Sequence, residues 1–241
     1  MATVKTARIV DARPTGAGTR VIELEAAEPL GFIGGQYIIV DAGFALPTGK
    51  AAKRAYSILS SDDDQLRFQI AIKRIPDGPV SGYMHDVAIG ETIKFSGPWG
   101  KMFPGDGAAG ATVVVASDTG ISAALGLVQA ARFQTLLPET VLVWFQVSGE
   151  DFLPAPLVRA RIPARCGEVR FAALPPIGHP ERVPHARAVL GELIARRPVA
   201  QAFSSGDGAV NYALLDDWVA AGIAASRDSV ESFFNMPKKS A

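Results

Sequence analysis

The hydrophobic pattern of this chain changes period partway along its 241 residues, and that change constrains the fold more than any single motif. Up to residue 105 the apolar residues come in short β-branched runs at 8–12, 19–24, 36–40, 55–59, 66–72 and 92–95, with turn residues between them. From residue 66 on, Leu66, Phe68, Ile70 and Ile72 fall on one face, with Arg67, Gln69 and Lys73 off it. That is the period of a strand with one buried face. Six such runs at close spacing predict an antiparallel barrel or sandwich. One helix is expected over 80–87, after the Gly78-Pro79 turn.

A small-residue linker, 104–110, ends this pattern. Beyond it, Thr112-Val113-Val114-Val115-Ala116 is continuously apolar, as a strand covered on both faces must be. Further strands are expected at 141–147, 168–173 and 199–204, alternating with helices at 121–133, 152–159, 185–195 and 209–221. Strand–helix alternation implies a parallel, doubly wound sheet. The predicted fold class is therefore β plus α/β: an antiparallel β-barrel over residues 1–105, then a doubly wound parallel α/β unit over residues 111–241. Ligands of such sheets bind outside the carboxyl ends of the strands, which points to the loops 117–122 and 204–208.

Composition excludes several function classes. Lys plus Arg and Asp plus Glu are 24 each, so the chain lacks the positive field of a nucleic-acid binder. The single cysteine, Cys166, cannot support a disulfide framework, a cysteine zinc site or an iron–sulfur cluster. The three histidines show no metal-ligand spacing, and no metal is expected. No apolar stretch reaches the length of a membrane span, and the first residues lack a signal-peptide core, so a cytoplasmic protein is expected. A local basic cluster (Lys50, Lys53, Arg54, Lys73, Arg74) reads either as a solvated rim or as a surface for phosphate or an acidic partner.

Two motifs carry chemistry. Arg54-Ala55-Tyr56-Ser57 sets a guanidinium, an aromatic ring and a hydroxyl along one extended segment. Gly78-Pro79-Val80-Ser81 opens a helix, whose first N–H groups are free to meet phosphate. A cation for phosphate, a ring to lie on a ring and a hydroxyl for its edge suggest a nucleotide with a planar redox-active group, a flavin.

These segments, with Phe32–Tyr37, Gly97–Phe103, Thr119-Gly120-Ile121-Ser122 and Glu231-Ser232-Phe233-Phe234, occur in the order seen in the ferredoxin–NADP reductase-like flavoproteins. The chain resembles that family over nearly its whole length, and in particular the reductase components of bacterial oxygenases that lack an iron–sulfur domain. The resemblance implies an NAD(P)H-dependent flavoprotein reductase. FAD, or FMN, would sit in the barrel unit, with NADH or NADPH as electron donor and a ferredoxin or oxygenase component as electron-accepting partner.

Carried over by position, Arg54 would hold flavin phosphate, Tyr56 would stack on the ring, and Ser57 would meet its edge where hydride arrives. Ala55, Ile72 and Lys73 would line the same site, and Gly78, Pro79, Val80 and Ser81 would cradle phosphate. Thr119, Gly120, Ile121, Ser122 and Gly206 would receive the nicotinamide nucleotide. Ser57, Ser205 and Glu231 are the candidate catalytic residues, and Phe233 would cover the ring's second face.

The match has departures. Ser117-Asp118 stand where the family has two glycines, Ala123 stands for proline, and Ser205-Gly206-Asp207 for Cys-Gly-Pro. Asp118 puts negative charge beside a pyrophosphate site unless its side chain caps the following helix and points away. Glu150 and Asp151 would repel a 2′-phosphate and favour NADH. Two further readings follow: a flavin-bearing electron-transfer subunit with a degenerate nucleotide site, and a reductase of free flavin or quinone.

Overall fold

The computed structural model describes residues 3–16, 18–147 and 152–236. The first unit contains β1 (Lys5–Pro14), β2 (Thr19–Ala26), β3 (Tyr37–Ala45), β4 (Ala51–Ser57), β5 (Arg67–Lys73), α1 (Pro79–Asp86) and β6 (Thr92–Trp99). Its six strands are ordered β4-β3-β6-β1-β2-β5, and every neighbouring pair is antiparallel. An isolated bridge between Ile58, just past β4, and Ile70 of β5 joins the two edges and closes the sheet. Alternate side chains then fill the inside: Ile9, Ile22, Leu24, Ile38, Val40, Phe68, Ile70, Ile72 and Phe95 form one buried cluster. Leu66 departs from the expected alternation. It precedes β5 and lies 43% exposed, while its N–H and that of Arg67 donate to the Asp64 carboxylate.

Helix α1 is anchored from its far end. Arg20 on β2 donates to the carbonyls of Met84, His85 and Val87, where a helix presents unpaired acceptors and partial negative charge. This leaves the N-terminal turn, Gly78–Ser81, at the opposite end of the helix.

The second unit contains β7 (Thr112–Ser117), α2 (Ile121–Gln129), β8 (Thr140–Gln146), α3 (Ala155–Arg161), β9 (Glu168–Ala173), α4 (Arg182–Arg196), β10 (Gln201–Asp207), α5 (Gly208–Ala220) and β11 (Val230–Phe234). All its strand pairs are parallel, in the order β11-β10-β7-β8-β9. The pattern alone marks four of these strands. The fifth, β11, mixes polar and aromatic residues without alternation, yet it adds to the β10 edge, with Ser205 opposite Glu231. The strand order reverses between β7 and β10, so the topological switch point lies between their carboxyl ends.

Close backbone approach joins the units. A side chain on Gly34 would meet the carbonyl oxygen of Gly126 at 2.1 Å, and one on Gly126 would meet that of Ile58 at 2.3 Å. Only glycine fits at either position. Gln129 of α2 donates to the Leu59 carbonyl (2.9 Å), and the Asp62 carboxylate accepts from the N–H groups of Gly34 (3.1 Å) and Ala131 (2.8 Å). Among the described residues no helix is long and apolar enough to cross a membrane.

Candidate functional site

Pleating of β4 separates the members of its motif: Arg54 and Tyr56 share one face, Ala55 and Ser57 the other. Tyr56 packs on the barrel core and on a satellite cluster of Ala42, Ala52 and Val80. Burial pushes its phenol up to about 12, so it stays protonated and can donate a hydrogen bond at any physiological pH. Its hydroxyl is buried and has no hydrogen-bond partner among the described residues. A polar atom left in that condition costs about 1–3 kcal/mol and calls for an explanation, and of the buried atoms in this condition the Tyr56 hydroxyl belongs to a residue lining the cavity described below. Arg54 is exposed, and its Nη1 donates to the Lys53 carbonyl at 2.8 Å.

At Gly78–Ser81 the Ser81 hydroxyl is used within the turn. It donates to the Gly78 carbonyl (3.0 Å) and accepts from the Ile75 N–H (3.1 Å). Pro79, at the first helical position, has no N–H. The backbone N–H groups of Val80 and Ser81 are therefore what this helix start can offer an anion, while the Ser81 side chain holds the turn's shape.

A cavity of about 270 Å³ lies where the two units meet. The barrel contributes Ala55, Tyr56, Ser57, Ala71, Lys73 and Ile75, and the α/β unit contributes Thr119, Ser122, Phe152, Phe233 and Phe234. Residues predicted from two separate motifs, and from the C-terminal segment, thus line one space. Its volume suits a ring system rather than a whole dinucleotide, because sites for complete ligands run to about 300–1,000 Å³. Ile72 is placed elsewhere: its side chain is fully buried in the barrel core. Arg54 and Gly78–Ser81 are not among the residues lining this cavity.

The switch-point loops press against each other. A side chain on Gly120 would meet the Ser205 carbonyl oxygen at 2.1 Å, and one on Gly206, whose φ is +116°, would meet that of Ser117 at 2.2 Å. Ser205 is buried, and its hydroxyl donates to the Gly120 carbonyl at 2.9 Å, so it joins the loops rather than facing the cavity.

Asp118, in the left-handed region at φ +50°, does not cap α2. Its carboxylate pairs with the guanidinium of Arg182, which also donates to Asp207 (2.6 Å) and to the Pro175 carbonyl. Asp207 in turn caps α5 through the N–H groups of Ala209 and Val210, and accepts from the Asn235 amide at 2.9 and 3.0 Å. The helix expected over 185–195 begins three residues earlier, at Arg182, the first residue of α4. Proline is tolerated within a first helical turn, which is where Pro184 lies.

Glu231 of β11 lies against Tyr37 and Gly100 and accepts from the Lys101 backbone N–H. Burial pushes its carboxyl up to about 7, and the Tyr37 phenol is raised by burial and by this neighbour. Glu150 and Asp151, the residues expected to choose between NADH and NADPH, lie outside the described residues.

Residues 15–103 match the family model of the oxidoreductase FAD-binding domain. That match covers the barrel unit, and the chain is similar to ferredoxin reductase-like flavoproteins. It is 33% identical over 127 residues to ferredoxin–NADP reductase B of Sorangium cellulosum, which is 52% of this chain and 51% of that protein. It is 28% identical over 131 residues to the reductase subunit of an aromatic O-demethylase from Amycolatopsis, 52% of this chain and 38% of that one. The chain thus spans about half the length, or less, of these curated relatives. Among solved structures, an Amycolatopsis cytochrome P450 reductase superposes with a TM-score of 0.70 at 18% identity, over 98% of this chain and 72% of the other. The FAD/NAD-binding domain of a Vibrio cholerae nitric oxide dioxygenase gives 0.68 at 19%, over 95% and 98%. At such identities the superpositions speak for the fold, and the barrel followed by a parallel sheet is the fold they share.

Proposed function

We propose that this chain is an NAD(P)H-dependent FAD reductase that passes electrons to a protein acceptor, a ferredoxin or an oxygenase component. FAD lies along the barrel unit, residues 1–105, and the pyridine nucleotide approaches the α/β unit, residues 111–241. Arg54 offers a planar fork of donors for phosphate, and the N–H groups of Val80 and Ser81 offer a second anion contact. Tyr56 supplies an aromatic surface and a protonated phenol. Ser57 and Lys73 border the ring's polar edge, and Phe233 shields the cavity from the α/β side. When bound, FAD supplies a two-electron acceptor that can release electrons singly. The chain's own contribution is to hold two flat rings in register and keep bulk water from them.

The observation that carries this reading is the Tyr56 hydroxyl, buried without a partner beside a cavity shared by both units. The names of the curated relatives, a ferredoxin–NADP reductase and the reductase subunit of an aromatic O-demethylase, support the donor and a protein acceptor. The test is native purification, identification of the released flavin, and anaerobic titration with each pyridine nucleotide. The flavin band near roughly 450 nm is expected to bleach with NADH or NADPH. A protein that takes up no FAD, or an FAD-loaded protein that neither nucleotide bleaches, contradicts the proposal.

A second reading is favoured by the Arg182 cluster at the switch point. In it the chain is a flavin-bearing electron-transfer subunit whose nucleotide crevice is closed, and reductant reaches the flavin from another protein. Bleaching by dithionite but by neither nucleotide is its signature.

A further inference from the structure

The crevice between the carboxyl ends of β7 and β10 is where this architecture receives a ligand's anionic part. In this chain an internal ion cluster stands there. Arg182 reaches across the switch point to Asp118, which follows β7, and to Asp207, which ends β10. The three are not equally accessible. The side chains of Arg182 and Asp207 are 2% and 0% exposed, whereas that of Asp118 is 18% exposed. Asp118 is therefore the outer partner, between the guanidinium and solvent. The next residue, Thr119, lines the cavity shared with the barrel.

Charge gives the same ranking. Two carboxylates share one guanidinium, an excess of one negative charge in a partly desolvated place. Asp207 is satisfied several times over, by Arg182, by the α5 N-terminus and by Asn235. Asp118 has Arg182 as its hydrogen-bonded cation, with Lys73 on the facing barrel wall as a further positive neighbour. Burial and Asp207 both act against its negative charge. Asp118 also holds a left-handed φ of +50°, a conformation that glycine adopts without cost.

We propose that Asp118 is an internal stand-in for the ligand's anion: its carboxylate covers Arg182, and a pyridine nucleotide must displace it to bind. Asp118 is then the residue that sets nucleotide affinity, and Arg182 is the cation that a pyrophosphate would inherit. This rests on the proposed use of NAD(P)H. Substituting Asp118 leaves a balanced Arg182–Asp207 pair, so the core of the cluster survives the change.

The test is equilibrium titration of the FAD-loaded protein with NADH and NADPH, read by nucleotide fluorescence, and with inorganic pyrophosphate, read by calorimetry. Wild type is compared with Asp118→Gly and Asp118→Asn. Both variants are expected to bind the preferred nucleotide at least tenfold more tightly and to gain affinity for pyrophosphate, with FAD content unchanged. Asp118→Asn keeps the shape and removes the charge, so it carries the test should the glycine variant fail to fold. Unchanged or weaker nucleotide affinity in a folded, FAD-loaded variant overturns the proposal while leaving the reductase reading intact. Failure of wild type and both variants to bind either nucleotide overturns both.

Discussion

The barrel site and the switch-point crevice treat their polar groups in opposite ways. At the barrel, Tyr56 keeps a buried hydroxyl with no partner among the described residues, and Arg54 donates to the carbonyl of its neighbour Lys53. At the crevice, Arg182, Asp118 and Asp207 are paired with one another and with backbone groups. The first region carries an energetic cost that a ligand can relieve. The second is stable alone and must be opened. The family match cannot report on the second condition, because it covers residues 15–103 and ends before the crevice.

Four substitutions or conditions break or sharpen this contrast. The largest effect belongs to Arg182→Met. It strands two carboxylates in a buried place, and removing one member of a buried ion cluster costs about 3–5 kcal/mol. Thermal unfolding of the flavin-free variant is expected to fall by many degrees, and an unshifted transition would show that the cluster does not hold the crevice together.

Next is the pH dependence set by Glu231. Burial raises its folded-state carboxyl to about 7, above its unfolded value near 4.5. The folded state therefore holds the proton more strongly. Stability is greatest below the unfolded value and declines as pH rises from about 4.5 through about 7, by an amount on the order of 1–3 kcal/mol. Glu231→Gln is expected to flatten that decline in denaturant unfolding curves measured across this window. An identical slope in wild type and variant refutes the assignment.

Arg54→Ala acts on the barrel site alone. Arg54 is exposed, so the flavin-free protein should unfold as wild type does. Loss of a charge-assisted contact to phosphate, worth about 1.5–3 kcal/mol, should raise the FAD dissociation constant roughly tenfold or more. Lowered stability with unchanged FAD affinity would assign Arg54 a structural role instead.

The smallest effect is the most diagnostic. Tyr56→Phe removes the unpartnered hydroxyl, so the flavin-free protein should become more stable by about 1 kcal/mol while FAD binding weakens by a similar amount. A loss of stability in the flavin-free variant would mean that the hydroxyl already has a partner.

Periodicity made most of the architecture legible. The alternation of Phe68, Ile70 and Ile72 and the continuous run Val113–Val115 depend only on which faces are buried, and both strands formed as expected. β11 was not legible, since a strand made of Val, Glu, Ser and two Phe takes its identity from pairing with β10. At the site, Tyr56, Ser57, Lys73, Thr119, Ser122 and Phe233 come together from motifs that local sequence reveals. Arg182 could not be found that way. It lies 64 residues from Asp118 and 25 from Asp207, and only the crossover of α4 brings the three together. For the same reason Asp118 was read as an obstacle and Ser205 as a reactive group, although the first has a cation and the second has the Gly120 carbonyl.

Calorimetric titration of the flavin-free protein with FAD, followed by titration of the loaded protein with NADH, probes both regions in one sample. The account predicts one FAD per chain, bound at least tenfold more weakly by both Arg54→Ala and an Arg54→Ala/Tyr56→Phe double variant, and a nucleotide step that tightens when Asp118 is replaced by asparagine. FAD binding that is absent, or indifferent to Arg54 and Tyr56 together, would contradict the claim that this barrel is shaped around a flavin.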